Sequence, residues 1–171
     1  MKKMNNKGFS LVELIIVIAI MAILAGAIAP ALIRYIDKSR KSNDVSSGKT
    51  IKTAVETAMG TEDAYEQLTA AGTGSVLTIK PGETSASNGV TLTTGGSGVT
   101  ADTRDEIFQN IGEKTPKIKY KKNNATNFYV LVSGKGTISV WIGSGAPGIS
   151  QTGTKGTNCW QLAPELDKEY Q

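Results

Sequence analysis

A chain of 171 residues has room for one domain and an anchor. Its net charge of +4 falls to +1 once Lys2, Lys3 and Lys7 are set aside, so the basic balance is partly a property of the first eight residues. With no histidine, one cysteine and no D-x-D-x-D loop, the composition supports neither an intramolecular disulfide, nor a metal site, nor a His-based catalytic triad.

The chain opens on a basic stretch and then Lys7-Gly8-Phe9-Ser10-Leu11-Val12-Glu13-Leu14. From Leu14 to Ile33 no residue is charged, and at about 1.5 Å rise per residue this run reaches roughly 30 Å, the thickness of a bilayer's hydrocarbon core. Glu13 stands at the mouth of that run, four residues after Phe9. A lone carboxylate in lipid costs about 2.5–3.5 kcal/mol, and residues that tolerate this cost are usually partnered and functional. A carboxylate snorkelling to the headgroup zone would explain Glu13 without a partner. An ordinary signal peptide would need a shorter apolar core and a small-x-small site; Ala25-Gly26-Ala27 and Ala27-Ile28-Ala29 supply the latter, but Pro30 follows the second directly. A permanent single-span anchor explains the span but not the Gly-Phe…Glu arrangement. Three lysines ahead of the span favour a cytoplasmic amino terminus.

This string, joined to the basic leader Met1–Gly8 and the helical Pro30, resembles the type IV prepilins over about residues 7–33; beyond that the likeness is architectural. The resemblance implies that a prepilin peptidase cuts between Gly8 and Phe9 and that the new amino terminus of Phe9 is N-methylated. It implies storage in the inner (cytoplasmic) membrane as a single-pass precursor. An assembly platform and its ATPase then build a homo-oligomeric helical filament outside the cell. Twitching motility, adhesion, aggregation and DNA uptake are the roles attached to such filaments. In a bundle of these helices, the ammonium of Phe9 on one subunit could pair with Glu13 on a neighbour, cancelling a costly charge and fixing axial register. A pseudopilin of a type II secretion or competence apparatus is the alternative, and a membrane-anchored binding or enzymatic head a third class that no motif supports. Many pilins of Gram-negative bacteria close a C-terminal loop with a disulfide, which the lone Cys159 cannot form. In that respect the chain looks more like pilins of Gram-positive bacteria. Cys159 beside Trp160 reads as a small packing residue.

After Pro30, Val45, Gly48, Ile51, Val55, Ala58 and Met59 recur at three- and four-residue spacing, with Lys41, Asp44, Lys49, Lys52 and Glu56 placed on the opposite side. One helix is expected from Phe9 to Met59, ended by Gly60, roughly 75 Å long. Pro30 removes a backbone hydrogen bond and, with Gly26 nearby, predicts a kink or soft point. A short helix is expected over Glu62–Ala71, capped by Thr61 and burying Ala64, Tyr65 and Leu68. Strand-like pieces follow at Val76–Ile79 and Val90–Thr93 within a Gly/Ser/Thr-rich stretch. Thr103-x-x-Glu106 reads as a capping box opening a helix that carries Ile107, Phe108 and Ile111 and stops at Gly112.

Lys117–Lys121 alternates lysine with apolar residues and predicts a strand, its lysines able to touch acidic polymer or DNA or merely facing water. Asn123-Asn124 marks a turn, and Asn127–Ser133 with Thr137–Ile142 predicts a hairpin around Gly134-Lys135-Gly136. These three strands would form an antiparallel meander packed on the helix stripe. Gly143 to Gln171 reads as loop, anchored by Trp160 and Leu162. Gly143-Ser144-Gly145-Ala146-Pro147-Gly148 matches G-x-G-x-x-G, yet no helical periodicity follows, so a glycine-rich turn suffices. Asn124-Ala125-Thr126 is a sequon without further support. The expected fold is α+β: leader 1–8, hydrophobic assembly helix 9–33, and a head over 34–171. The head comprises helix spine 34–59, linker region 60–115, β-sheet 116–142 and C-terminal loop 143–171. No catalytic residue, metal ligand or cofactor is expected.

Overall fold

The structure, a computed structural model, describes residues 9–95 and 98–171; the leader, with Gly8, lies outside the described residues. The first helix, α1, runs Leu11–Ala58 with Pro30 inside it, and helical backbone continues through Gly26–Pro30. The chain divides after Ser39 into two units.

In the first unit every described residue from 9 to 36 is exposed. In the second unit α1 buries Asp44, Gly48, Ile51, Ala54, Val55 and Ala58. The stripe therefore has the expected spacing with one correction. Asp44 belongs to the buried face, because positions 44, 48, 51, 55 and 58 follow the same i, i+4, i+7 rule. The helix ends at Ala58, and the Gly60 N–H closes a tight turn on the Thr57 carbonyl at 3.0 Å.

Helix α2 spans Glu62–Thr69 and passes into a 3₁₀ turn at Ala70–Gly72. Thr61 precedes it without capping it; its hydroxyl donates to the Ala58 carbonyl at 3.1 Å. Ala64 and Leu68 are buried as expected, whereas Tyr65 is 43 % exposed. Strand β1 (Ser75–Ile79) is followed by a helical turn α3 (Ala86–Gly89), strand β2 (Val90–Thr94) and helix α4 (Ala101–Ile111). The capping threonine of α4 is Thr100, not Thr103: the Thr100 hydroxyl accepts the Thr103 N–H, and its own N–H donates to Gln67 Oε1 on α2 at 2.9 Å. Gly112 ends α4 in the left-handed region at φ 105°, where a side chain would be strained.

Three further strands, β3 (Asn127–Val132), β4 (Ile138–Gly143) and β5 (Cys159–Ala163), complete one antiparallel sheet in the order β2-β1-β3-β4-β5. The expected hairpin is β3–β4. Region 60–115 holds the expected two strands, β1 and β2, and the helices α2 and α4, with the added turn α3, whereas the supposed C-terminal loop contributes the edge strand β5. Residues 117–121 form no strand. Their alternation survives, with Ile118 and Tyr120 buried and the lysines exposed, but the N–H groups of Lys119 and Tyr120 donate to Asp44 instead of to a neighbouring strand.

Register sorts the sheet into two faces. Leu77, Ile79, Phe128, Val130, Val140, Ile142 and Leu162 face Ile51, Val55 and Ala58 of α1 in the main core. Val76, Tyr129, Leu131, Trp141 and Cys159 form a second cluster on the other face, with Ile149 packed against it. Covering both faces is why β3 reads as an unbroken apolar run.

Candidate functional site: the amino-terminal helix

The sequence-predicted assembly residues lie at the start of α1. Ser10 occupies the position before the helix and Glu13 its third residue, and the Ser10 N–H donates to Glu13 Oε2 at 2.9 Å. Ser10-x-x-Glu13 thus forms the carboxylate half of a capping box, with an acid in the first turn complementing the helix dipole. This local role was missed in the sequence, although the S-x-x-E spacing carries it. A carboxylate has about four acceptor sites, so one N–H leaves capacity for a further donor. Phe9 is 84 % exposed and shares this end of the helix with Glu13.

Leu11, Ile15, Ile18, Ile23, Ile28 and Ile33 are each more than half exposed, and the residues between them are exposed as well. α1 is one helix long and apolar enough to cross a membrane. An apolar surface of this extent in water is unfavourable by about 25 cal/mol per Å², so the segment needs lipid or other protein around it. Pro30 lies within this segment, seventeen residues from Glu13; the two are separate features of the helix, not one constellation.

Among the described residues no group of three or more His, Cys, Asp or Glu could hold a metal ion. Cys159 is buried, and burial pushes its thiol above the ordinary range, in keeping with a packing residue.

A model of the prokaryotic N-terminal methylation motif matches residues 3–29, the stretch that holds Gly8, Phe9 and Glu13. Together with the apolar helix and α+β fold, this motif makes the chain similar to the type IV prepilins. The chain is 35% identical over 96 residues to a type IV major fimbrial protein FimA of Dichelobacter nodosus, a match covering 56% of this chain and 60% of that one. It is 48% identical over 54 residues to fimbrial protein Q of Moraxella bovis, covering 32% of this chain and 34% of that one. It is also 37% identical over 64 residues to the type IV major pilin protein PilA of Myxococcus xanthus, covering 37% and 29% respectively. The matches thus span less than two thirds of these relatives' own length. No solved structure matches the chain. The Gram-positive likeness expected from the single cysteine draws no support from these relatives.

Proposed function

We propose that the chain is a structural, non-catalytic subunit of a type IV pilus, held in the inner (cytoplasmic) membrane before assembly and extracellular afterwards. The observation that carries this reading is the uncovered, charge-free helix opening on Glu13 within a methylation motif. In this reading a prepilin peptidase cleaves between Gly8 and Phe9 and Phe9 is N-methylated. The helix over 9–33 leaves lipid for the filament core under an assembly platform and its ATPase. Residues 34–171 face the exterior, where the filament serves adhesion, aggregation or surface motility.

Once Phe9 is the amino terminus, its ammonium on one protomer meets Glu13 of a neighbour. Removing both charges from the apolar packing as a pair costs far less than burying either alone, and it sets the axial step between subunits. The Ser10 N–H holds the carboxylate at the helix end, ready for that partner. Pro30, with no N–H to give, marks where the helix adjusts its packing on leaving the membrane.

Mass spectrometry of the mature chain is the test. The expected amino terminus is N-methylated Phe9, and a start near Ile28 or Pro30 would falsify the assignment. Glu13→Ala is expected to leave the protein in membranes while filament yield collapses; normal yield would remove the charge pairing and leave the pilus reading intact.

A further inference from the structure

Residues 114–122 carry Lys114, Lys117, Lys119, Lys121 and Lys122 with no carboxylate among them. The segment is pinned at two points. Thr115 Oγ1 accepts the Glu83 N–H at 2.8 Å, and Asp44 accepts the N–H groups of Lys119 and Tyr120 at 2.7 and 2.9 Å. Inward-facing Ile118 and Tyr120 leave Lys117, Lys119 and Lys121 exposed on the outer side. Successive lysines on such an extended chain stand about 6.6 Å apart. Between this segment and α1 lies an open groove of about 400 Å³, lined by Lys114, Lys117 and Lys119 opposite Ser47 and Asn43, with no acidic side chain in its wall. Among the described residues no salt bridge forms to these three lysines; Asp44 lies beneath Lys119, Glu83 binds Thr115 through its backbone, and Glu113 precedes Lys114 in the chain.

We propose that this groove is an anion site that takes the phosphate backbone of duplex nucleic acid. Its openness suits the side of a polymer better than an enclosed small molecule. Lysine ammoniums are point charges that bind phosphates without needing a fixed fork geometry. The one aromatic in the segment, Tyr120, is buried edge-on against Tyr170 at 5.8 Å, so no ring is offered for stacking on unpaired bases or sugars. A duplex presents one negative charge per about 1.7 Å of axis, far denser than an acidic polypeptide, and rewards a short lysine row through counterion release. Binding is therefore sequence-independent and salt-sensitive.

The test titrates full-length chain in detergent micelles with random-sequence duplex DNA over a range of salt, independently of whether the chain forms filaments. Lys114→Gln/Lys117→Gln/Lys119→Gln is expected to weaken binding at least about tenfold and to flatten the log–log salt dependence by about 2.7, the equivalent of three phosphates. Circular dichroism verifies that this variant keeps its fold. Lys49→Gln/Lys135→Gln/Lys155→Gln, with the same net charge, is expected to leave the slope nearly unchanged. Equal losses in the two triple variants would reduce binding to general attraction and overturn the site. Equally tight binding of polyglutamate, lost in the first variant, would assign the groove to acidic polypeptide and overturn the nucleic-acid reading.

Discussion

Asp44 is fully buried yet bears a carboxylate, and its surroundings explain how that is tolerated. Both oxygens accept backbone N–H groups, from Lys119 and Tyr120, so the helix grips a segment 75 residues later in sequence. Around it Lys41 Nζ lies 4.9 Å over the Tyr120 ring and 3.6 Å from Glu169. The Tyr120 hydroxyl donates to Glu169, and Asn123 donates to the Tyr170 hydroxyl. Burial pushes the Asp44 carboxyl above its ordinary 3.8, outweighing the two N–H groups and the Lys119 charge that pull it down. Burial likewise pushes the Tyr170 phenol up, against the Asn123 hydrogen bond. Asp44→Asn offers one acceptor where two donors wait, and is expected to destabilise the fold by about 1–3 kcal/mol in urea melts at neutral pH. Because the folded carboxyl keeps its proton to higher pH than the unfolded one, the folded state binds more protons in the window above 3.8. The increment of stability that comes from protonating Asp44, as distinct from that of its hydrogen bonds, is thus fully present below 3.8 and lost as pH rises through the folded-state value. Melts of the parent chain and Asp44→Asn across that window are expected to differ in slope, the variant lacking this decline.

Among the elements, α1 and β5 come into close contact where a glycine permits it. A Cβ at Gly48 would lie 2.9 Å from Leu162 Cβ and 3.0 Å from its Cδ1, and Leu162 is itself buried. Alanine in a helix interior is ordinarily favoured over glycine by about 1 kcal/mol, but here the overlap displaces a core side chain at a cost of about 1–3 kcal/mol. Gly48→Ala is therefore expected to lower stability, measurably by thermal melting. Leu162→Ala alone is expected to cost about 2–5 kcal/mol. Combined, the two are expected to cost less than their sum, since the truncated Leu162 makes room for the new methyl. Strict additivity would show that the two elements do not press on each other at this point.

The molecule as a whole divides its chemistry between two units. Residues from Arg40 onward hold the described buried core, with α1's inner face, the five-stranded sheet and the cluster beneath the 144–158 loop all inside that unit. A fragment of residues 40–171 is expected to be soluble without detergent and to melt cooperatively as an α+β domain by circular dichroism. The full-length chain, with its uncovered apolar helix, is expected to need detergent or a filament. A fragment without a cooperative transition would show that the core depends on the preceding helix.

The amino-terminal half of α1 was legible because its signals are local: a charge-free run, a carboxylate at its mouth, and small spacings that the backbone period translates directly into a helix. The stripe from Gly48 to Ala58, the β3–β4 hairpin and the Gly112 stop were legible for the same reason. Other features depend on partners far away in sequence. Lys117–Lys121 has the alternation of a strand, yet its N–H groups go to Asp44. Thr103 reads as the cap of α4, yet Thr100 takes that place, its own N–H held by Gln67 Oε1 of α2. Cys159–Ala163, short and set among glycines and serines, becomes a strand because β4 offers it an edge. Period and composition fix what a segment can form by itself. Which donor meets which acceptor, and which edge is left open, is settled when distant segments pack, and that choice fixed the sheet and the lysine groove.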